Sequence, residues 1–150
     1  GYESPPPPVP APAPVAPQEI PDYPFYYTVN VAEEYGTATQ SSVCHGGNAR
    51  RAIDGSLEDR WEFASVTHTC WELEPWWKVD FSANPGPIDE VIVFNRMDWG
   101  QNKISGVRVE VLNDVGEVVA WQPIIDEGGK QPYNFDFNGV IGWAVRLTKP

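Results

Sequence analysis

The proline-rich start of the chain restricts its folding more than any other feature. Ten of the 16 prolines lie between Pro5 and Pro24. Proline has no amide hydrogen and a fixed φ, so this stretch can form neither a helix nor a central strand. The composition is typical of polyproline II, which is extended and hydrated. We therefore assign residues 1–26 to an arm and residues 27–150 to one domain of roughly 125 residues, large enough for a two-layer core.

The charge balance of the chain excludes two classes of partner. Ten Lys and Arg residues face 21 Asp and Glu residues, which gives a net charge of −11. Nucleic-acid binding and anionic membrane surfaces both require basic patches, so we expect neither as a partner. No apolar run reaches the roughly 18–20 residues of a membrane span. The chain begins at Gly1 without a secretory signal, and we interpret it as a processed or excised piece.

Short apolar segments separated by turn residues follow the arm. Alternation is clear in residues 77–81 and 106–111, and residues 88–95 contain a continuous apolar run. Turns are expected at Asn113-Asp114, Gly128-Gly129 and Asn138-Gly139. This pattern predicts an all-β jelly-roll sandwich in which only residues 49–53 are helical, for one turn. The predicted strands cover residues 77–81, 88–95, 106–111, 118–121, 133–137 and 143–147.

The polar residues of the chain favour binding over catalysis. There is no Ser-His-Asp arrangement and no phosphate-binding loop, so we expect no enzyme. Arg96, Asp98 and Lys103 follow a buried strand in one loop, where Arg and Lys supply the fixed donors that a neutral sugar needs. From these residues alone, a surface loop of salt bridges is the favoured alternative.

Aromatic residues supply a second indication of sugar binding. Indole rings are platforms for the apolar face of a pyranose, although core packing is the more common role of a tryptophan. The tryptophans that lie in or beside predicted loops are Trp61, Trp71, Trp76, Trp77 and Trp99.

Several motifs occur in the order that is seen in F-type lectins, fucose-binding proteins with a discoidin-like jelly roll. The family's sugar motif is a His, then Arg-Xaa-Asp, then four residues, then Arg or Lys. Here His68 is followed by Arg96-Met97-Asp98, four further residues and Lys103. The chain resembles this family over residues 27–149. Other matching segments are Asn30-Val31-Ala32, Ala38 to Ser42, Ala52 to Gly55, Pro75 to Phe81 and Ile104-Ser105-Gly106.

The resemblance implies a galactose-binding-domain-like fold and a site for fucose or a related deoxy sugar. By position, His68, Arg96 and Lys103 would donate to the ring oxygen and hydroxyls of the sugar. Asp98 would orient Arg96. Trp61 would lie in the apolar pocket that receives the methyl group of the sugar.

The chain departs from the family pattern at two places near the implied site. The family has a vicinal cystine after the Asp, where this chain has Trp99-Gly100. Trp99 either replaces the apolar contact of the cystine by stacking or blocks the pocket. The first binding loop, Val43 to Asn48, is short, and His45 is a candidate sugar contact there.

The resemblance also implies a calcium ion below the sugar site, held by hard oxygen ligands. The matching positions are the main chain of Arg51 and the side chains of Asp54, Ser56 and Ser65. The family closes with one more strand that carries an acidic calcium ligand. This chain stops at Pro150, so we expect that strand to be missing and an edge of the sheet to be open.

Cys44 and Cys70 are the two cysteines, and their spacing does not indicate a zinc site. Both lie in loops that flank the implied sugar site. We predict a disulfide between them in an oxidising, extracellular compartment. The alternative is that they are two unrelated small buried residues.

The sequence thus supports an extracellular glycan-binding module as the first hypothesis. A second hypothesis is a structural subunit of an extracellular fibre, in which residues 1–24 dock on a neighbouring copy and link copies head to tail. In that case Tyr26 to Val29 could add a strand to an open edge. A third is an adhesion domain of the discoidin type with aromatic loop residues, although the negative charge disfavours anionic lipid.

Overall fold

The computed structural model describes residues 4–8, 29–125 and 132–150. Of the proline-rich arm it describes residues 4–8, which are exposed and belong to no helix or strand. Three predictions therefore lie largely or wholly outside the described residues: the docking of residues 1–24, the added strand at 26–29 and the turn at Gly128-Gly129. In the described ranges, no helix has the length and apolar character needed to cross a bilayer.

In the residues that the structure describes, seven strands and one short α-helix form the domain. Three 3₁₀ turns lie in the loops, at Ala49–Ala52, Trp61–Phe63 and Gln101–Ile104. The first of these is the single helical turn that the sequence predicts. In chain order the other elements are α1 (Val31–Tyr35), β1 (Thr37–Gln40), β2 (Trp76–Asp80), β3 (Gly86–Val93), β4 (Arg108–Leu112), β5 (Val118–Pro123), β6 (Tyr133–Gly142) and β7 (Ala144–Thr148).

The strands form two antiparallel sheets, which confirms the predicted all-β jelly-roll class. The larger sheet has the order β1-β2-β7-β4-β5, and the smaller one pairs β3 with β6. Alternation places one face of each strand in the core. On β6, Tyr133, Phe135 and Phe137 are buried while the residues between them are exposed. They pack with Val109 and Val111 of β4 in one apolar cluster. The loops that leave these sheets carry the polar residues of interest.

The final strand is central rather than peripheral. β7 pairs with β2 on one side and with β4 on the other, from Trp76 opposite Thr148 to Leu112 opposite Ala144. Its pairing ends in Lys149, whose amide donates to the carbonyl of Pro75 at 3.0 Å. In the described part of the chain the edge strands of the larger sheet are β1 and β5, and the smaller sheet consists of β3 and β6. The missing closing strand stays a prediction.

Several features of local structure differ from the prediction. Strand β1 and the 3₁₀ turns at Trp61–Phe63 and Gln101–Ile104 were not predicted. Helix α1 was not expected, although Asn30 caps it by accepting a hydrogen bond from the Glu33 amide at 3.3 Å. An Asn three residues before a Glu is a known helix-start signal. The turn expected at Asn138-Gly139 is instead a bulge inside β6. Both residues have positive φ, at 51° and 79°, and the pairing with β3 shifts its register there.

Candidate functional site

The loop after β3 holds Arg96 and Asp98 as a hydrogen-bonded pair. Arg96 Nε donates to Asp98 Oδ1 at 2.5 Å, and Arg96 Nη2 lies 3.4 Å from Oδ2. The amide of Trp61 donates to the same Oδ2 at 3.1 Å. These donors, the guanidinium foremost, lower the pKa of Asp98 from its ordinary value. Asp98 therefore stays ionised at neutral pH and keeps the Arg96 fork in one orientation.

Internal hydrogen bonds fix the rest of this loop. The side-chain amide of Asn95, which is buried, donates to the Gln101 carbonyl at 2.8 Å. Gln101 Nε2 donates back to the Met97 carbonyl at 2.5 Å. The Met97 amide reaches across to the Asp59 carbonyl at 3.0 Å, which ties this loop to the loop that carries Trp61. Arg96 is thus positioned before any ligand arrives.

Cationic side chains lie against the two indoles of the site. Arg96 Cζ is 5.3 Å from the ring centroid of Trp61 and 5.5 Å from that of Trp99. Lys103 Nζ is 3.9 Å from the centroid of Trp99. These are cation–π distances. Trp99, the residue found in place of the vicinal cystine, is 57% exposed and contacts both cations, so it forms a wall of the site.

The two histidines lie together beside Trp61. The ring of His68 is 5.1 Å from that of His45 and 5.7 Å from that of Trp61. His68 Nδ1 is 2.6 Å from the Thr69 carbonyl, which can only accept, so Nδ1 carries a hydrogen. Nε2 is then the His68 ring nitrogen that is left for a ligand. The donor role expected of His68 stays a prediction.

All seven residues implied for sugar binding surround one region of the surface. A groove in this region is lined by Asp59, Arg60, Trp61, Glu62, Arg96, Met97 and Asp98. The contacts of Trp61 and Trp99 join the histidines on one side to Lys103 on the other. Trp76 and Trp77 belong instead to strand β2, where both are half-buried and Trp77 Nε1 donates to the Ala49 carbonyl at 2.9 Å.

A disulfide closes the loop that carries His45, Trp61 and His68. Cys44 and Cys70 form the expected bridge, with their Cα atoms 5.0 Å apart and a sequence separation of 26. This separation lies in the normal range for a disulfide. The bridge is important because residues 44–70 contain no strand to hold them, only two short 3₁₀ turns.

Gln40 is a site-positioning residue to which the sequence pattern assigned no role. At the end of β1, its Nε2 lies within hydrogen-bond distance of three carbonyls, those of Ser42, Gly47 and His68, at 2.7, 3.0 and 3.0 Å. Gly47 approaches His68 so closely that a Cβ at Gly47 would lie 2.6 Å from His68 Cβ. Two signals were available in the sequence. Gln40 ends an alternating strand, and Gly47 follows Cys44 by three residues.

The residues implied for calcium form a loop rich in oxygen atoms. Asp54 Oδ1 accepts from the Ser56 amide at 2.9 Å, and Ser56 Oγ accepts from the Glu58 amide at 3.3 Å. The buried Ser65 hydroxyl donates to the Glu58 carbonyl at 2.5 Å. Hydroxyl, carbonyl and carboxylate oxygens are the ligands that calcium prefers. The described residues contain no group of three or more His, Cys, Asp or Glu suited to a metal, so binding would depend on neutral oxygens and Asp54.

The chain is similar to several known lectins and sugar-binding modules. Fucolectin-6 of Anguilla japonica is 37% identical over 102 residues, which cover 65% of this chain and 53% of that protein. The chain thus spans about half the length of the curated fucolectins it matches. The lectin domain of lectinolysin, in complex with Lewis B antigen, is 32% identical, with a TM-score of 0.77 over 83% of this chain and 89% of that domain.

A fucose binding module of Streptococcus pneumoniae is also similar, with 26% identity and a TM-score of 0.75 over 80% of this chain and 83% of that module. These similarities confirm the resemblance to F-type lectins that the motifs indicate. A family model described as a NedA-like, galactose-binding domain matches residues 51–147. The chain therefore belongs to the F5/8 type C family of galactose-binding-like domains.

Proposed function

We propose that this chain is an extracellular carbohydrate-binding module that recognises L-fucose on glycans. The observation that carries the proposal is the fixed Arg96–Asp98 pair between two indoles, next to Lys103 and His68. The similarity to fucolectins and to fucose-binding lectin domains supports the same sugar. The disulfide supports an oxidising compartment outside the cell.

Each group has a role suited to a neutral sugar. Arg96 and Lys103 donate to the hydroxyls and the ring oxygen, and both lie within cation–π distance of Trp99. His68 hydrogen-bonds to a hydroxyl through Nε2. Trp61 supplies apolar surface for the methyl group at C6, the feature that distinguishes fucose from galactose-type sugars that carry a hydroxyl there.

Replacement of Arg96 by Ala tests the proposal directly. Hydrogen bonds to a charged group contribute about 1.5–3 kcal/mol, so the affinity for fucose should fall roughly 10- to 150-fold. Arg96→Lys should recover little, because an ammonium cannot form the paired contact with Asp98. The measurement is calorimetric titration with L-fucose, together with a glycan array.

The matched control is Arg108→Ala. Arg108 also lies over an indole, with Cζ 4.4 Å from the centroid of Trp121, but it belongs to strand β4 and not to the site. We expect this variant to bind fucose normally. If the unmodified chain ignores fucose and every fucosylated glycan, the proposed function is wrong.

The same proposal includes a calcium ion bound by the loop of residues 51–65. The ligands would be the Arg51 carbonyl, the carboxylate of Asp54 and the hydroxyls of Ser56 and Ser65. When bound, the ion would cross-link this loop, while the chain's own hydrogen bonds orient Trp61 and His68. The ion would have no role in the recognition of the sugar other than holding the loop.

The alternative of a fibre subunit is not favoured. The relatives reported above are lectins and sugar-binding modules, and nothing about them supports assembly through a proline-rich arm. An enzymatic role is not favoured for the same reason.

A further inference from the structure

Trp71 lies on the surface, and no residue in the described ranges covers its ring. Its side chain is 96% exposed, and Leu73, two positions on, is 95% exposed. A tryptophan normally buries most of its large apolar area. Two large apolar side chains held in water beside a binding site indicate a contact surface for a ligand.

The loop that presents Trp71 is anchored through the residues next to it. On one side, Cys70 forms the disulfide, and its amide donates to Ser42 Oγ at 2.8 Å. On the other side, Glu72 accepts from Ser41 Oγ at 2.7 Å and from Ser42 Oγ. These bonds also lower the pKa of Glu72. Because residues 70 and 72 are bound to the domain, Trp71 between them is held outward in a defined position.

Trp71 adjoins the proposed fucose site through Lys103. The ammonium of Lys103 lies 5.7 Å from the ring centroid of Trp71 and 3.9 Å from that of Trp99. A ligand on Trp71 would therefore be a direct neighbour of the sugar that Lys103 contacts. Such a ligand must offer an apolar face to the indole and polar groups to the ammonium, because leaving Lys103 dry and unpaired is costly.

We propose that Trp71 forms a second subsite, which stacks against the pyranose linked to fucose in a fucosylated oligosaccharide. A pyranose with a continuous C–H face, such as galactose, meets both requirements, since its hydroxyls can accept from Lys103. This subsite rests on the proposed fucose function and deepens it. The subsite makes the protein bind fucose within an oligosaccharide more tightly than free fucose. Because the loop that holds Trp71 is rigid, less entropy is lost on binding.

Calorimetric titrations with L-fucose and with a fucosyl-α1,2-galactose disaccharide test the subsite. We expect the unmodified chain to bind the disaccharide about tenfold more tightly, which corresponds to about 1.4 kcal/mol. Trp71→Ala should remove that gain and leave the affinity for free fucose unchanged. Trp71→Phe, which keeps an aromatic face, should retain most of the gain. Val115→Ala, at an exposed apolar residue between β4 and β5, should change neither affinity.

Three results would overturn the subsite. Equal losses for fucose and disaccharide in Trp71→Ala would make Trp71 part of the primary site. No change for either ligand would show that Trp71 touches no sugar. If the unmodified chain binds neither ligand, the fucose function itself fails and the subsite with it, and this result is distinct from the other two. Thermal melts confirm that each variant is folded.

Discussion

The Cys44–Cys70 bridge should contribute a large share of the stability of this domain. It closes a loop with a sequence separation of 26 residues. In the chain-entropy treatment, a loop of that length restricts the unfolded chain by about 3.5 kcal/mol. For a domain of this size each kcal/mol shifts the melting temperature by roughly 3–5 °C. The Cys44→Ser/Cys70→Ser double variant should therefore melt about 10–18 °C below the unmodified chain.

The assay is thermal unfolding followed by circular dichroism, with and without a reducing agent. The chain has two cysteines, so a reductant acts on this one bridge. We expect reduction of the unmodified chain to lower its melting temperature to that of the double variant, and to leave the double variant unchanged. Fucose affinity should fall in parallel, because His45, Trp61 and His68 lie within the loop.

A shift of less than about 3 °C would refute this reasoning. It would mean that the hydrogen bonds from Gln40 and the two 3₁₀ turns hold residues 44–70 in place without the bridge. A normal melting temperature with lost fucose binding would be a different result, in which the bridge shapes the site without stabilising the domain.

Two further predictions concern the loops below the sugar. Gly47→Ala should destabilise the domain by about 1–3 kcal/mol and weaken fucose binding, because its new Cβ would lie 2.6 Å from the backbone nitrogen of His68. Denaturant unfolding measures the loss, and Gly86→Ala is the control because no atom lies within 4 Å of its new Cβ. Removal of calcium with a chelator should lower the melting temperature, since an ion at 100 times its Kd adds about 2.7 kcal/mol; Asp54→Asn should abolish the effect, and a chelator-insensitive melt would exclude the proposed ion.

Local patterns in the sequence were sufficient for the fold class and for the approximate positions of six strands, but they missed β1 and the second half of β6. Alternating apolar residues mark a strand wherever one of its faces is buried, and this depends on nearby residues alone. The same local reasoning failed at Asn138-Gly139. Two residues that favour positive φ are equally suited to a turn and to a bulge, and only the pairing of β3 with β6 decides between them.

The candidate site likewise has features that local sequence predicts and features that depend on tertiary contacts. The spacing of His68, Arg96-Met97-Asp98 and Lys103 named the polar residues and the hydrogen-bonded pair within one loop. It could not show which ring nitrogen His68 presents, since that depends on a contact with the Thr69 carbonyl. Nor could it show that Gln40 reaches the His68 carbonyl across 28 positions.

Backbone propensity, strand periodicity and motif spacing can be read along the chain, so they identified the all-β class and predicted an extended proline-rich arm and the residues of a sugar site. How these residues meet depends on tertiary packing. The hydrogen bond from the Met97 amide to the Asp59 carbonyl joins the loop of Arg96 to the loop of Trp61, and the disulfide closes residues 44–70. Packing also leaves Trp71 in solvent next to Lys103, a position that depends on contacts between residues far apart in sequence.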